Sequence, residues 1–149
     1  MIKLSANERI SRWKSLRKNI DVLSFDDACH QVLNFWNNLP YVPYYLDVDN
    51  TSLWPDPWQL LVDNYYCDIA KCLGIIYTLH LSKHGNNLNP ELRVYYSTSS
   101  KHTFHIAYLC DGKYVLNLID NEVVNNKHIN QNLKLIHCYT AADLKLEQY

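Results

Sequence analysis

The spacing of apolar residues changes once along this chain, near residue 90, and that change limits the architectures open to it. Before it, Ile10, Trp13 and Leu16 recur at helical intervals, as do Ala28, Val32, Phe35 and Trp36, and then Ile69, Cys72, Leu73, Ile76 and Leu79. After it come LRVYYS (92–97), TFHIAYLC (103–110), KYVLNLI (113–119) and LKLIHCY (133–139), rich in β-branched and aromatic residues. Helices first and strands second predict an α+β fold, with N-terminal helices and a central helix packed on an antiparallel sheet of about four strands. The 149 residues are enough for one domain with a core and few for two. We therefore expect residues 1–149 to form a single domain, with 1–60 a helical and aromatic-loop extension and 61–140 the core.

Local signals place the helices. Ser5 and Glu8 have capping-box spacing, which predicts a first helix from about residue 5 to 18 with a solvated basic face of Arg9, Arg12, Lys14, Arg17 and Lys18. Ser24 and Asp27 repeat that spacing before a second helix that stops ahead of Pro40. The stretch LPYVPYYLDVDNTSLWPDP (39–57) is proline-punctuated and aromatic, and is expected to be an ordered loop on the body. Asp56 and Pro57 suit the N-cap and first position of the short helix PWQLLVD. The fourth helix is expected from about Tyr65 to Lys83, ended by Gly85, Asn86 and Asn87.

Composition removes several functions. A net charge of −1 provides no field to attract nucleic acid or an anionic membrane, so neither is an expected partner. Five cysteines, an odd number with no CxxC pair, point to free thiols in a reducing compartment. The start MIKLSANERISRWK lacks an apolar targeting run, so secretion by a signal peptide is not expected. Sixteen Asn and 12 Tyr against 3 Gly is a bias common in AT-rich genomes, including those of many bacteriophages. Cys67, Cys72, His80 and His84 do not converge on one helix face, so no metal or other cofactor is expected.

The chemistry concentrates around three residues. If Asp111-Gly112 is a two-residue hairpin turn, His105 lies opposite Leu118 and Thr103 opposite Asp120. His105 and Asp120 are then diagonal neighbours on one face, roughly 7–8 Å apart at the backbone, while Asn117 points the other way. Cys67 stands at a helix start, where unpaired N–H groups favour a thiolate. A cysteine there could be a small core residue, a metal ligand or a nucleophile. Taken with the hairpin, Cys67 is the candidate nucleophile, His105 the base and Asp120 the group that orients the imidazole.

Cys67 opening CDIAKCLGIIYTLHLSKHG, His105 on a strand, the DG hairpin and Asp120 together resemble the transglutaminase-like branch of the papain-like thiol fold, over roughly residues 60–122. The resemblance implies a Cys67–His105–Asp120 triad and cysteine-dependent acyl transfer, either peptide or amide hydrolysis or cross-linking. Gln59, Trp58 and Tyr66 are the candidates for the cleft wall or oxyanion donors. With WPDPWQLL ahead of the cysteine, the chain also looks like small proteins of tailed phages. This implies a protein or peptide partner, such as other virion proteins, and a location in the host cytoplasm or the particle. The alternative is a catalytically silent copy of the fold that serves as a head, neck or baseplate component.

Overall fold

The computed structural model describes residues 3–149; Met1 and Ile2, at the start of the stretch read above for a leader, lie outside it. Four helices precede five strands: α1 Ala6–Ile20, α2 Phe25–Asn37, α3 Pro57–Asp63, α4 Asp68–His80, then β1 Glu91–Ser97, β2 Thr103–Leu109, β3 Tyr114–Leu116, β4 Val123–Val124 and β5 Leu133–Tyr139. The strands form an antiparallel sheet in the order β4-β3-β2-β1-β5. The expected α+β architecture is what the chain adopts, with β4 as an additional short strand.

The helix ends follow from their capping residues. The Ser5 hydroxyl accepts from the Glu8 N–H while the Glu8 carboxylate accepts from the Ser5 N–H, closing the box. Ser24 accepts from the Asp27 N–H, and Asp56 from the Gln59 N–H with Pro57 at the first helical position. α4 is shorter than expected. Its N-cap is Cys67 rather than a residue before Tyr65, because Asn64 adopts a left-handed conformation at φ 59° that closes α3.

One large core cluster lies between the helices and one sheet face, and includes Trp13, Trp36, Leu60, Leu73 and Ile76 together with Leu92, Val94, Ala107, Leu109 and Leu116. A smaller one, Tyr95, Ile106, Val115 and Leu118, lies on the opposite face. Period-two alternation explains the split between neighbours such as Ile106 and Ala107. α4 is buried over nearly its whole length. Gly74 is required there: a Cβ at this position would come within 2.5 Å of the Trp36 indole.

The basic face of α1 needs correction at Arg9, which is buried, not solvated. Its Nε donates to the Leu61 carbonyl at 2.7 Å, one terminal nitrogen to that of Val62 at 3.2 Å, and the other to that of Leu4. Arg9 thus satisfies carbonyls in the last turn of α3, which has no further helix to receive them. No helix among the described residues is long and apolar enough to cross a membrane.

Candidate active site

Cys67 arrives at its position through backbone pairing. Tyr41 and Tyr66 form an isolated parallel bridge, and the Val42 N–H donates to the Tyr66 carbonyl at 3.3 Å. Tyr66 is fully buried with its ring edge-on to Trp36 at 5.8 Å, which anchors the chain one residue before the thiol. The Cys67 carbonyl accepts the first intrahelical bond, from Lys71 at 3.0 Å. The N–H groups of Asp68, Ile69 and Ala70 have no intrahelical acceptor, so the thiol stands at the positive end of α4.

His105 comes from β2. It pairs with Val94 of β1, and Val94 pairs on its other side with His137 of β5. Cross-strand partners share a face, so His105 points with Val94 and Ala107 towards the helices. There, Cys67, Asp68, Ile69 and His105 line one pocket of about 200 Å³, completed by Pro43, Tyr44, Leu46, Asp47 and Val48 from the loop after α2. Thiol and imidazole therefore line the same pocket at the N-terminus of the central helix, and the proline-rich loop forms the outer wall.

Burial is the main influence on the imidazole. It lowers the His105 pKa below the ordinary histidine value, the Asp68 carboxylate acts in the opposite sense, and His102 and His137 reinforce the lowering. Burial thus favours the neutral ring, the form in which it can accept a proton. Its Nδ1 is buried and without a hydrogen-bond partner among the described residues. The Cys67 thiol likewise makes no hydrogen bond there.

Asp120 is not brought to His105. The expected register holds where the strands pair, since Ala107 faces Leu116, Tyr108 faces Val115 and Leu109 faces Tyr114. However, β3 ends at Leu116 because Asn117 takes a left-handed conformation at φ 72°. That one residue reverses the facing of all that follow. Leu118 falls into the cluster on the far face and Asp120 is exposed. Asn117, expected to point away, donates from Nδ2 to the His105 carbonyl at 2.9 Å and lies 3.6 Å from the Cys72 sulfur. The chain also turns at Cys110, Asp111 and Gly112, all at positive φ, rather than through two residues.

The other residues singled out in the sequence lie elsewhere. Gln59 is exposed on α3 and donates to Asp63 at 2.6 Å. Trp58, on the same helix, packs edge-on against Trp13 at 5.9 Å. Neither lines the thiol pocket, nor does Tyr66, whose ring is turned into the core. Cys72 is buried, donates to the His105 carbonyl at 3.1 Å, and has its pKa pushed up by desolvation. It is a core residue, as its angular offset from Cys67 predicts. The pocket wall at 43–48 was not foreseen in the sequence, since no period marks a loop. Asp68 was visible only as the acid beside the cysteine.

No protein-family model matches the sequence, and comparison with curated proteins finds no match. Solved structures do match. LapG of Legionella pneumophila in its calcium-bound form superposes with a TM-score of 0.73 at 13% identity, over 94% of this chain and 78% of LapG. A second LapG structure gives 0.72 at 13% identity with the same coverage. An EGTA-treated one gives 0.72 at 13% identity over 94% and 76%. The chain therefore shares the α+β fold of LapG over nearly its whole length.

Proposed function

We propose that this protein is a cysteine-dependent acyl-transfer enzyme that cleaves or exchanges a peptide or amide bond, with Cys67 as nucleophile and His105 as general base. The observation that carries the reading is the shared pocket: a helix-start thiol and a half-buried imidazole line one cavity. The likeness to LapG supports it through the fold.

The Cys67 proton passes to the His105 ring as the sulfur bonds to the carbonyl carbon. The oxyanion that forms is offered the unpaired N–H groups of the first turn of α4. Collapse breaks the C–N bond, and the imidazolium returns its proton to the departing amine. Water, or a second amine, then attacks the thioester with His105 again taking the proton, and the thiol is released. Asp47 and Asp68 border the cavity, while Pro43, Leu46 and Val48 provide an apolar wall for a substrate side chain.

Incubation with a library of fluorogenic peptide amides tests this, with mass spectrometry for an acyl adduct on Cys67. Wild-type turnover and an adduct on the peptide containing Cys67 are expected, and both should disappear in Cys67→Ala. Turnover that persists in Cys67→Ala overturns the reading.

A second reading is favoured by one structural feature. The edge strand β5 carries a bulge where it pairs with β1, and Leu135 and Ile136 are both exposed there. Such an edge suits a non-enzymatic assembly role, in a tailed-phage particle if the Asn- and Tyr-rich composition reflects a phage genome. Detection of the protein in purified virions, together with loss of assembly on Ile136→Lys, supports that reading. Its absence from virions counts against it.

A further inference from the structure

We propose that Asp68, rather than Asp120, is the carboxylate that supports the His105 imidazole during proton transfer, a positioning role that rests on the thiol–imidazole reading above. A base that takes a proton inside a half-buried pocket becomes an imidazolium there, and the charge needs a compensating anion. Asp120 cannot supply it from an exposed segment beyond the left-handed Asn117. Asp68 lines the same pocket as His105 and directly follows the nucleophile.

The Asp68 carboxylate is held in place. Its Oδ2 accepts from the Tyr41 hydroxyl at 3.3 Å, and the Lys71 ammonium lies 5.0 Å from the centre of the Tyr41 ring. Tyr41 is itself fixed by its bridge to Tyr66, immediately before the thiol. Oδ1 accepts no hydrogen bond among the described residues, and the buried Nδ1 of His105 has no partner either. The pocket therefore contains an unused acceptor on Asp68 and an unsatisfied ring nitrogen on His105. Asp68 is also the carboxylate whose charge favours the protonated ring, against burial and the two neighbouring histidines.

The arrangement differs from a triad in which the acid follows the histidine on the next strand. Here the nucleophile and the acid are consecutive residues at one helix start, and the base alone comes from the sheet. Besides Asp68, the titratable groups around the ring are Cys67 and Cys72 on the α4 side, Tyr44 and Asp47 on the loop, and His102 and His137 on the sheet side. Of these only Asp47 and Asp68 are carboxylates, and the Asp47 carboxylate already accepts from the Asp49 N–H at 3.0 Å and the Tyr44 hydroxyl at 3.4 Å.

Iodoacetamide alkylation of Cys67, followed against pH by peptide mass mapping in the full chain, provides the test, paired with an NMR titration of the His105 ring. Asp68→Asn is expected to slow Cys67 alkylation at pH 6.5 about tenfold and to lower the midpoint of the His105 titration by about one pH unit, a tenfold change in proton affinity. Asp68→Glu should restore the rate to within about threefold of wild type, which loss of a merely structural contact would not predict. Should Asp68→Asn unfold the chain, Tyr41→Phe, which frees Oδ2 while leaving the charge, should instead raise or preserve the His105 midpoint. A fast wild-type Cys67 that Asp68→Asn leaves unchanged, or that Asp120→Asn slows equally, overturns the assignment to Asp68 alone. A wild-type Cys67 no faster than the exposed Cys138 overturns the thiol–imidazole reading, and this inference with it.

Discussion

The two ends of α4 treat buried polar groups in opposite ways. Near its C-terminus, the Thr78 hydroxyl accepts from the indole N–H of Trp13 at 2.9 Å and of Trp36 at 3.0 Å, and donates to the Gly74 carbonyl at 2.6 Å. One hydroxyl thereby uses both lone pairs and its proton, joining α1, α2 and α4. At the N-terminus, about 16 Å away by the rise of eleven residues, the buried His105 Nδ1 has no partner among the described residues, and no hydrogen bond there involves the Cys67 thiol. Folding gains nothing from that vacancy, whereas a reaction needs groups not already committed. The satisfied end holds the fold together and the unsatisfied end is where chemistry can occur.

The sharpest way to break this contrast is at the satisfied end. Thr78→Val keeps the shape but leaves two buried indole N–H groups without acceptors, which should cost roughly 2–5 kcal/mol. Urea unfolding measures it; a loss under about 1 kcal/mol would mean that the hub contributes little. Arg9→Met keeps much of the packing and removes the donors to Leu61 and Val62. It should cost about 1–3 kcal/mol, and a neutral result would show those carbonyls finding water instead.

Smaller effects are expected at the Cys67 end. Because His105 has a lowered pKa in the folded state, the unfolded chain binds more protons between that folded value and about 6.5. In that window stability rises with pH, and the penalty is fully present below the folded value. His105→Asn should flatten this part of the stability curve, read by thermal unfolding at a series of pH values; an unchanged slope would place the titration elsewhere. Cys67→Ser should change stability least, within about 1 kcal/mol, since the thiol makes no bond to lose.

The same contrast explains how much the sequence discloses. Helical and strand periods are averages over many residues, so α1 to α4 and the longer strands were legible, and Pro57–Asp63 lies where its cap and proline place it. The places of Cys67 at a helix start and of His105 on a strand face were legible for the same reason. The place of Asp120 was not, because it hung on the conformation of a single residue, Asn117. Asn117 carries the only available signal, since asparagine adopts the left-handed region more readily than other side-chain-bearing residues. Arg9 looks solvated in the sequence because it stands on a charged helix face; its burial depends on Leu61 of α3, 52 residues away in sequence.

The decisive question is whether the buried Cys67 thiol, at the N-terminal end of α4, is activated by the imidazole that lines the same pocket. The direct measurement is the alkylation rate of Cys67 at pH 7 in wild type and in His105→Ala, with exposed Cys138 as the internal reference and buried Cys29 and Cys72 as the slow limit. Burial raises the pKa of the Cys29 and Cys72 thiols, so they should hardly react. Cys67 is expected to outpace Cys138 in wild type and to fall at least tenfold in His105→Ala. A Cys67 rate that is the same with and without His105 would contradict that activation.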